Sequence, residues 1–88
     1  MDTLGLYHEA LQLARDLGYE VREEPLGELP GGRCTVKGAT HVLINLGRPV
    51  ADRLESLLRA LAADPRVAAE PKSRLLETRL QGLAGASG

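Results

Sequence analysis

Residues 33–61 constrain the fold most strongly, because their apolar side chains repeat first at two-residue spacing and then at helical spacing. The segment R-C-T-V-K-G-A-T-H-V-L-I-N-L at 33–46 predicts a β-hairpin, since strands place alternate residues on opposite faces. Pro49 follows, and proline commonly opens helices because the first helical position needs no N–H donor. Leucines then recur at three- and four-residue steps as far as Leu61, which predicts an amphipathic helix ending near Ala63.

The register of the hairpin determines which of its side chains enter the core. A three-residue turn at 38–40 places one set of residues on the apolar face: Cys34, Val36, Val42, Ile44 and Leu46. The opposite face then receives Arg33, Thr35, Lys37, His41, Leu43 and Asn45. A slip of one residue would exchange the two faces, so the apolar pattern favours this register. Cys34 and His41 are therefore predicted to lie on opposite faces of the sheet.

Two further helices and one further strand are predicted outside this stretch. Apolar residues at helical spacing predict a helix over residues 4–17, and Gly18 supplies the left-handed conformation that commonly ends a helix. Residues 19–24 alternate apolar and charged side chains before becoming wholly charged, which is typical of a strand at the edge of a sheet. Pro71 opens a last helix, whose apolar residues are Leu75, Leu76, Leu80 and Leu83.

These elements predict the order α-β-β-β-α-α and the α+β class. We expect a three-stranded antiparallel meander packed against the helices, in a single domain over residues 1–81. The segment 25–32 contains two prolines and three glycines and predicts a loop between the first two strands. Residues 82–88 are rich in glycine and alanine and predict a flexible C-terminal tail.

Composition argues against several classes of function. Acidic and basic residues nearly cancel, with a net charge of -1, so the surplus of basic residues that binds nucleic acids or anionic membranes is missing. Tyr7 and Tyr19 are the only aromatic residues, which leaves few rings for base stacking. The sequence has neither a long apolar run nor a basic segment leading into one. We therefore expect no membrane span, no secretion signal and a cytoplasmic location.

The sequence predicts no catalytic, cofactor-binding or metal-binding residue. Cys34 is the single cysteine, and we expect a buried apolar role for it because free cysteine is often fully buried. His8 and His41 are the only imidazoles, and neither H-x-x-x-H nor C-x-x-C spacing is present to bind a metal. The glycine pair at 31–32 precedes a strand and lacks the lysine of a phosphate-binding loop.

The segments G-Y-E-V-R at 18–22 and G-G-R-C-T-V-K-G at 31–38, together with the leucine-rich helix, resemble a family of small uncharacterised bacterial proteins. In that family a leading helix and a G-Y-E-V-R strand precede a G-G-x-C hairpin. The strand-to-helix order is also distantly similar to the core of zincin metallopeptidases of the ImmA/IrrE type, in which the helix bears H-E-x-x-H. The corresponding positions here lie near Arg59, Ala60 and Ala63, so this resemblance implies a scaffold without the peptidase activity.

Two hypotheses about function follow. The first is a non-enzymatic protein that acts through self-association, as a homodimer, or by binding another protein. Its interaction surface would be formed by Leu43, Leu75, Leu76, Leu80 and Leu83. The last helix would then pack over Leu43 on the outer sheet face or be exchanged with a second chain. The second is an enzyme or ligand-binding subunit in which the loop at 25–32 covers Cys34, His41 or Asn45.

Overall fold

The structure, a computed structural model that describes residues 2–86, contains three α-helices and three strands in the predicted order. Their bounds are α1 Thr3–Asp16, β1 Glu20–Glu24, β2 Gly32–Val36, β3 Ala39–Asn45, α2 Val50–Ala62 and α3 Arg74–Ala86. A short 3₁₀ helix, Pro65–Ala69, connects α2 to α3. The predicted α+β class is confirmed.

The ends of α1 follow from local chemistry. The Asp2 carboxylate accepts a hydrogen bond from the Gly5 N–H at 3.0 Å, which satisfies one of the backbone donors left free at a helix start. Gly18 has a φ of 88°, a conformation that glycine adopts without steric cost and that ends many helices. The observed helix therefore lies within one residue of the predicted bounds at each end.

The sheet has the strand order β1-β3-β2, which corrects the predicted antiparallel meander. Strand β1 runs parallel to β3, and β2 runs antiparallel to it. Strand β3 carries the fully buried side chains Val42 and Ile44, so it occupies the centre, while the charged β1 and the polar β2 occupy the edges. The segment 25–31 crosses the carboxyl end of β3 because it must join two strands that are not neighbours.

The β2–β3 hairpin turns through two residues, Lys37 and Gly38, so the predicted three-residue turn is wrong. Both residues have positive φ angles, 52° and 82°, as in the type I′ turn that matches the twist of a hairpin. The observed register pairs Cys34 with His41, and both lie on the sheet face that points away from the helices. The prediction assumed an apolar inner face for β2, whereas all five residues of this edge strand are exposed.

The core lies between the sheet and the helices. Helix α1 contacts β1, and α2 contacts β2 and β3. Helix α3 contacts α1 and α2 but, within the described residues, no strand, so the predicted packing of the last helix over Leu43 is wrong. The buried apolar side chains are Leu6, Tyr7, Ala10, Leu11, Leu13, Ala14, Tyr19, Val42, Ile44, Leu54, Leu57, Leu58, Ala60, Leu61, Val67, Leu76 and Leu80.

A side-chain contact with α1 positions the start of α3. The Glu9 carboxylate accepts hydrogen bonds from the backbone N–H and the hydroxyl of Ser73, both at 2.7 Å. The Ser73 hydroxyl oxygen in turn accepts from the Leu76 N–H at 3.1 Å, as a helix cap does. The last helix is therefore capped by Ser73 and begins at Arg74, three residues after Pro71.

The predicted tail at 82–88 falls partly outside the described residues. Helix α3 continues as far as Ala86, so residues 82–86 belong to a helix, and residues 87–88 lie beyond the described part of the chain. Among residues 2–86, none of the helices combines the length and the apolar character needed to cross a bilayer.

Candidate interaction surface

Strand β2 forms an open edge of the sheet. It pairs only with β3 among the described strands, and each of its five residues is exposed. Strand edges carry unpaired backbone donors and acceptors that can pair with another chain. We call the outward side of residues 32–36 the β2 edge.

The hydrogen bonds of β3 establish which β2 residues direct their backbone groups outward. The Leu46 N–H donates to the Glu24 carbonyl at 2.9 Å. The backbone N–H and C=O groups of even-numbered β3 residues therefore point toward β1, and those of odd-numbered residues point toward β2. Consistent with this, a Cβ added at Gly31 would collide with the Leu43 carbonyl oxygen. The odd-numbered β3 residues pair with 32, 34 and 36. Arg33 and Thr35 therefore direct their N–H and C=O groups away from the sheet.

The two edges of the sheet differ in charge. Four of the five residues of β1 are charged: Glu20, Arg22, Glu23 and Glu24. Helix α1 also contacts β1, and the Tyr7 hydroxyl donates to the Glu23 carboxylate at 3.0 Å. On β2, Arg33 is the only charged side chain. Since charged residues discourage the pairing of strand edges, the β2 edge is the more open of the two to another strand.

The outer sheet face beside the β2 edge is mostly uncharged. Val36, Cys34 and Gly32 alternate along β2 on this face and pair with Ala39, His41 and Leu43. The Val36 side chain is 49% exposed, and Gly32 adds no side chain that would shield Leu43 from the edge. Charged residues on this face belong to β1. A strand added at the β2 edge would therefore extend an uncharged surface.

The structure brings the thiol of Cys34 and the imidazole of His41 together. The two residues are directly opposed across β2 and β3, so the prediction that they lie on opposite faces of the sheet is wrong. Cys34 is also exposed, whereas the sequence predicted a buried side chain. Directly opposed side chains lie about 5 Å apart at their Cβ atoms. Neither residue lines the four surface cavities described for this structure, which measure about 190–350 Å³. The pair is an accessible thiol beside an imidazole.

Asn45, which the sequence offered as a residue beneath a lid, holds the loop instead. Its side-chain carbonyl accepts from the Leu26 and Gly47 N–H groups at 3.0 and 2.8 Å. Its amide nitrogen donates to the Gly27 and Leu29 carbonyls, both at 3.0 Å. The buried amide uses its four hydrogen bonds on backbone groups, so its role is to position the segment that leads into β2.

The five leucines predicted as an interaction surface are separated by the fold. Leu76 and Leu80 are buried in the chain's own core, and Leu83 packs partly against that core. Leu75 is 38% exposed on α3, and Leu43 is half-buried on the outer sheet face. Because α3 and β3 do not contact each other within the described residues, the two accessible leucines form no common patch.

A buried polar group that the sequence did not predict joins the start of β1 to the 3₁₀ helix. The Tyr19 hydroxyl donates to the Asp64 carboxylate at 2.6 Å, and the Arg66 guanidinium donates to the same carboxylate at 2.8 Å. Hydrogen bonds from Arg66, and also from Tyr19, hold the pKa of Asp64 well below its ordinary range. Burial and the bond to Asp64 raise the pKa of Tyr19 to about 12. The three side chains satisfy one another's hydrogen-bonding groups, which indicates that they have a structural role.

Within residues 2–86, no group of three or more histidine, cysteine or acidic side chains is arranged to hold a metal ion. Comparison with protein-family models, with curated proteins and with solved structures finds no match to this chain. The functional interpretation therefore depends on the geometry of the molecule.

Proposed function

We propose that this protein is a binding module that accepts an extended strand of a protein partner along the β2 edge. The observation that carries the proposal is the outward direction of the Arg33 and Thr35 backbone groups on a fully exposed strand. In this kind of recognition main-chain hydrogen bonds provide affinity, and the side chains beside them provide specificity. Two outward residues offer up to four such bonds to a partner strand.

The rest of the fold supports this use of the edge. The Lys37–Gly38 turn and the loop held by Asn45 restrain β2 at its two ends. A restrained strand loses less conformational entropy on binding than a mobile one does. The uncharged outer face along Val36 and Cys34 favours a partner strand whose residues on that face are small and uncharged.

Selection from a library of random octapeptides tests the proposal. We expect selected peptides to protect the Arg33 and Thr35 amides of the protein from hydrogen exchange, because those N–H groups would become bonded. Thr35→Pro removes one outward donor and no bond to β3, so it should weaken peptide binding about tenfold. Thr35→Val keeps the N–H and serves as the matched control, with binding expected within about twofold of the unchanged protein.

Circular dichroism and thermal unfolding establish that both Thr35 variants keep the fold. Peptides that bind Thr35→Pro as tightly as the unchanged protein would contradict the proposal. The same conclusion would follow if bound peptides left the Arg33 amide exchanging at its free rate. The exchange measurement uses the unchanged protein, so it remains decisive even if the proline variant fails to fold.

The opposition of Cys34 and His41 favours a second candidate function, thiol chemistry at Cys34. A base within reach of a thiol can raise its reactivity by favouring the thiolate. Alkylation by iodoacetamide tests this candidate. It requires Cys34 to react at least about tenfold faster than free cysteine and His41→Ala to remove the difference. A rate equal to that of free cysteine would exclude it.

The resemblance to a zincin scaffold stays a prediction. Arg59 and Ala60 lie on α2, and Ala63 follows it directly, so the positions that this resemblance assigns to a metal carry side chains without metal-binding atoms suited to zinc. The strand-addition proposal does not depend on that kinship.

A further inference from the structure

We infer that the partner strand at the β2 edge is β2 of a second copy of this chain, paired antiparallel about a two-fold axis that passes beside Cys34. This inference rests on the proposed function and names its partner. It follows from two independent properties of β2, the direction of its backbone groups and the positions of its charges.

Backbone direction limits the registers open to a symmetric pair. Within β2, only Arg33 and Thr35 direct their backbone N–H and C=O groups away from the sheet. A hydrogen-bonded pair across the interface must therefore join these odd-numbered residues. Three symmetric arrangements meet this condition. They oppose Arg33 to Arg33 of the second copy, Thr35 to Thr35, or Arg33 to Thr35.

Charge then separates the three arrangements. The first opposes two arginines directly. The second brings Arg33 beside Lys37 of the second copy, the turn residue that directly follows β2. Like charges directly opposed across strands are destabilising. The third opposes Arg33 to Thr35, so it alone places an uncharged residue opposite Arg33.

In this register Cys34 faces Cys34 of the second copy on the outer sheet face. The pair is a non-hydrogen-bonded one, with Cα atoms about 4.5 Å apart, which lies within the range that a disulfide can span. Val36 faces Gly32 of the second copy, where the missing side chain leaves room, and Leu43 is the next side chain beyond it. The uncharged outer surface thus continues across the interface.

On the helix side of the sheet, the space beside β2 is partly open. Between β2 and α2 lies a cavity of about 350 Å³, lined by Arg33 of β2, by Ser56, Arg59 and Ala60 of α2, and by Ala63, which directly follows α2. Three of these side chains are small, and Arg59 is bonded to Glu55 of its own helix at 3.2 Å. Apart from the two arginines, the side chains beside β2 on this side of the sheet are therefore small.

Sedimentation velocity of the Cys34→Ser variant tests the inference without any covalent bond. The paired surface is small, so we expect a reversible dimer with a dissociation constant of roughly 1–100 µM. Thr35→Pro in the same background removes two bonds per dimer and should raise the dissociation constant about 30-fold. Thr35→Val keeps the backbone donors and should stay within about threefold.

Oxidation by diamide tests the register on the full chain. Diamide takes two electrons and two protons from two thiols, which leaves one disulfide and the hydrazine form of the reagent. Because Cys34 is the single cysteine, a linked dimer must join the two Cys34 sulfurs. The matched control is Cys34→Ser with Thr35→Cys. In the inferred register its two thiol-bearing residues lie about 8 Å apart at Cα, beyond the reach of a disulfide.

We expect rapid linkage of the unchanged chain and linkage at least about tenfold slower for the control, since only the former meets disulfide geometry. Equal linkage rates would overturn the inference, as would a dimer that Thr35→Pro does not weaken. A monomer at 500 µM, a concentration about fivefold above the expected range, would also overturn it. If octapeptides still protected the Arg33 and Thr35 amides in such a monomer, only the identity of the partner would be wrong. Failure of both experiments would remove the proposed function itself.

Discussion

Replacement of Asn45 by alanine is the sharpest test of how this fold presents β2. The side chain bonds to four backbone groups, those of Leu26, Gly27, Leu29 and Gly47, at 2.8–3.0 Å. Each such bond contributes about 1 kcal/mol net, so the four together contribute about 4 kcal/mol. Water can replace part of this because most of the partner residues are exposed. We therefore expect Asn45→Ala to lower the free energy of unfolding by about 2–3 kcal/mol.

Asn45→Asp distinguishes the loss of the Asn45 hydrogen bonds from the loss of side-chain volume. It keeps the acceptor oxygen but places a second oxygen against the Gly27 and Leu29 carbonyls, 3.0 Å away. Repulsion between these oxygens should make the aspartate variant no more stable than the alanine variant. Gln12→Ala is the matched control, because it removes an exposed amide that, within residues 2–86, bonds only to Asp16. It should cost less than about 0.5 kcal/mol.

Urea unfolding followed by circular dichroism measures these differences, and hydrogen exchange at residues 26–29 reports on the loop itself. We expect the loop amides to exchange faster in Asn45→Ala while the amides of α1 keep their relative protection. If Asn45→Ala unfolds within about 0.5 kcal/mol of the unchanged protein, Asn45 does not hold the loop and the account of how β2 is restrained is wrong.

Three further predictions follow from the core, the turn and the buried carboxylate. Leu76→Ala should lower the free energy of unfolding by about 2–5 kcal/mol in urea titrations, because it leaves a cavity at a fully buried position. Gly38→Ala should cost about 1 kcal/mol by the same measurement, since residue 38 has a φ of 82° that alanine adopts poorly. Arg66, together with Tyr19, lowers the pKa of Asp64 in the folded state. The Asp64 carboxylate therefore stabilises the fold fully above its pKa in the unfolded chain, about 3.9, and this stabilisation is lost as pH falls below that value. Thermal unfolding should show Asp64→Asn less stable than the unchanged protein at pH 7, with the difference shrinking below about pH 4; a difference that is constant with pH would contradict this.

The sequence by itself determined the local elements and the fold class. Apolar residues at three- and four-residue steps predicted α1 and α2 to within a residue at each end, because helical periodicity depends only on near neighbours in the chain. Alternation predicted the strands, and their order along the chain predicted the α+β class. Leu76 and Leu80 were recognised as part of an apolar stripe, although not as part of the core.

Tertiary structure alone decided the strand order, the hairpin register and the side of the sheet that carries Cys34. Strand β3 became central because its buried residues needed neighbours on both sides, a requirement that no local pattern in β1 or β2 expresses. The turn at Lys37–Gly38 then exchanged the faces of β2 at little cost, since an exposed edge strand has no apolar side to protect. The surface on which the proposed function rests was fixed by which strand was left without a neighbour, and that depends on the whole fold.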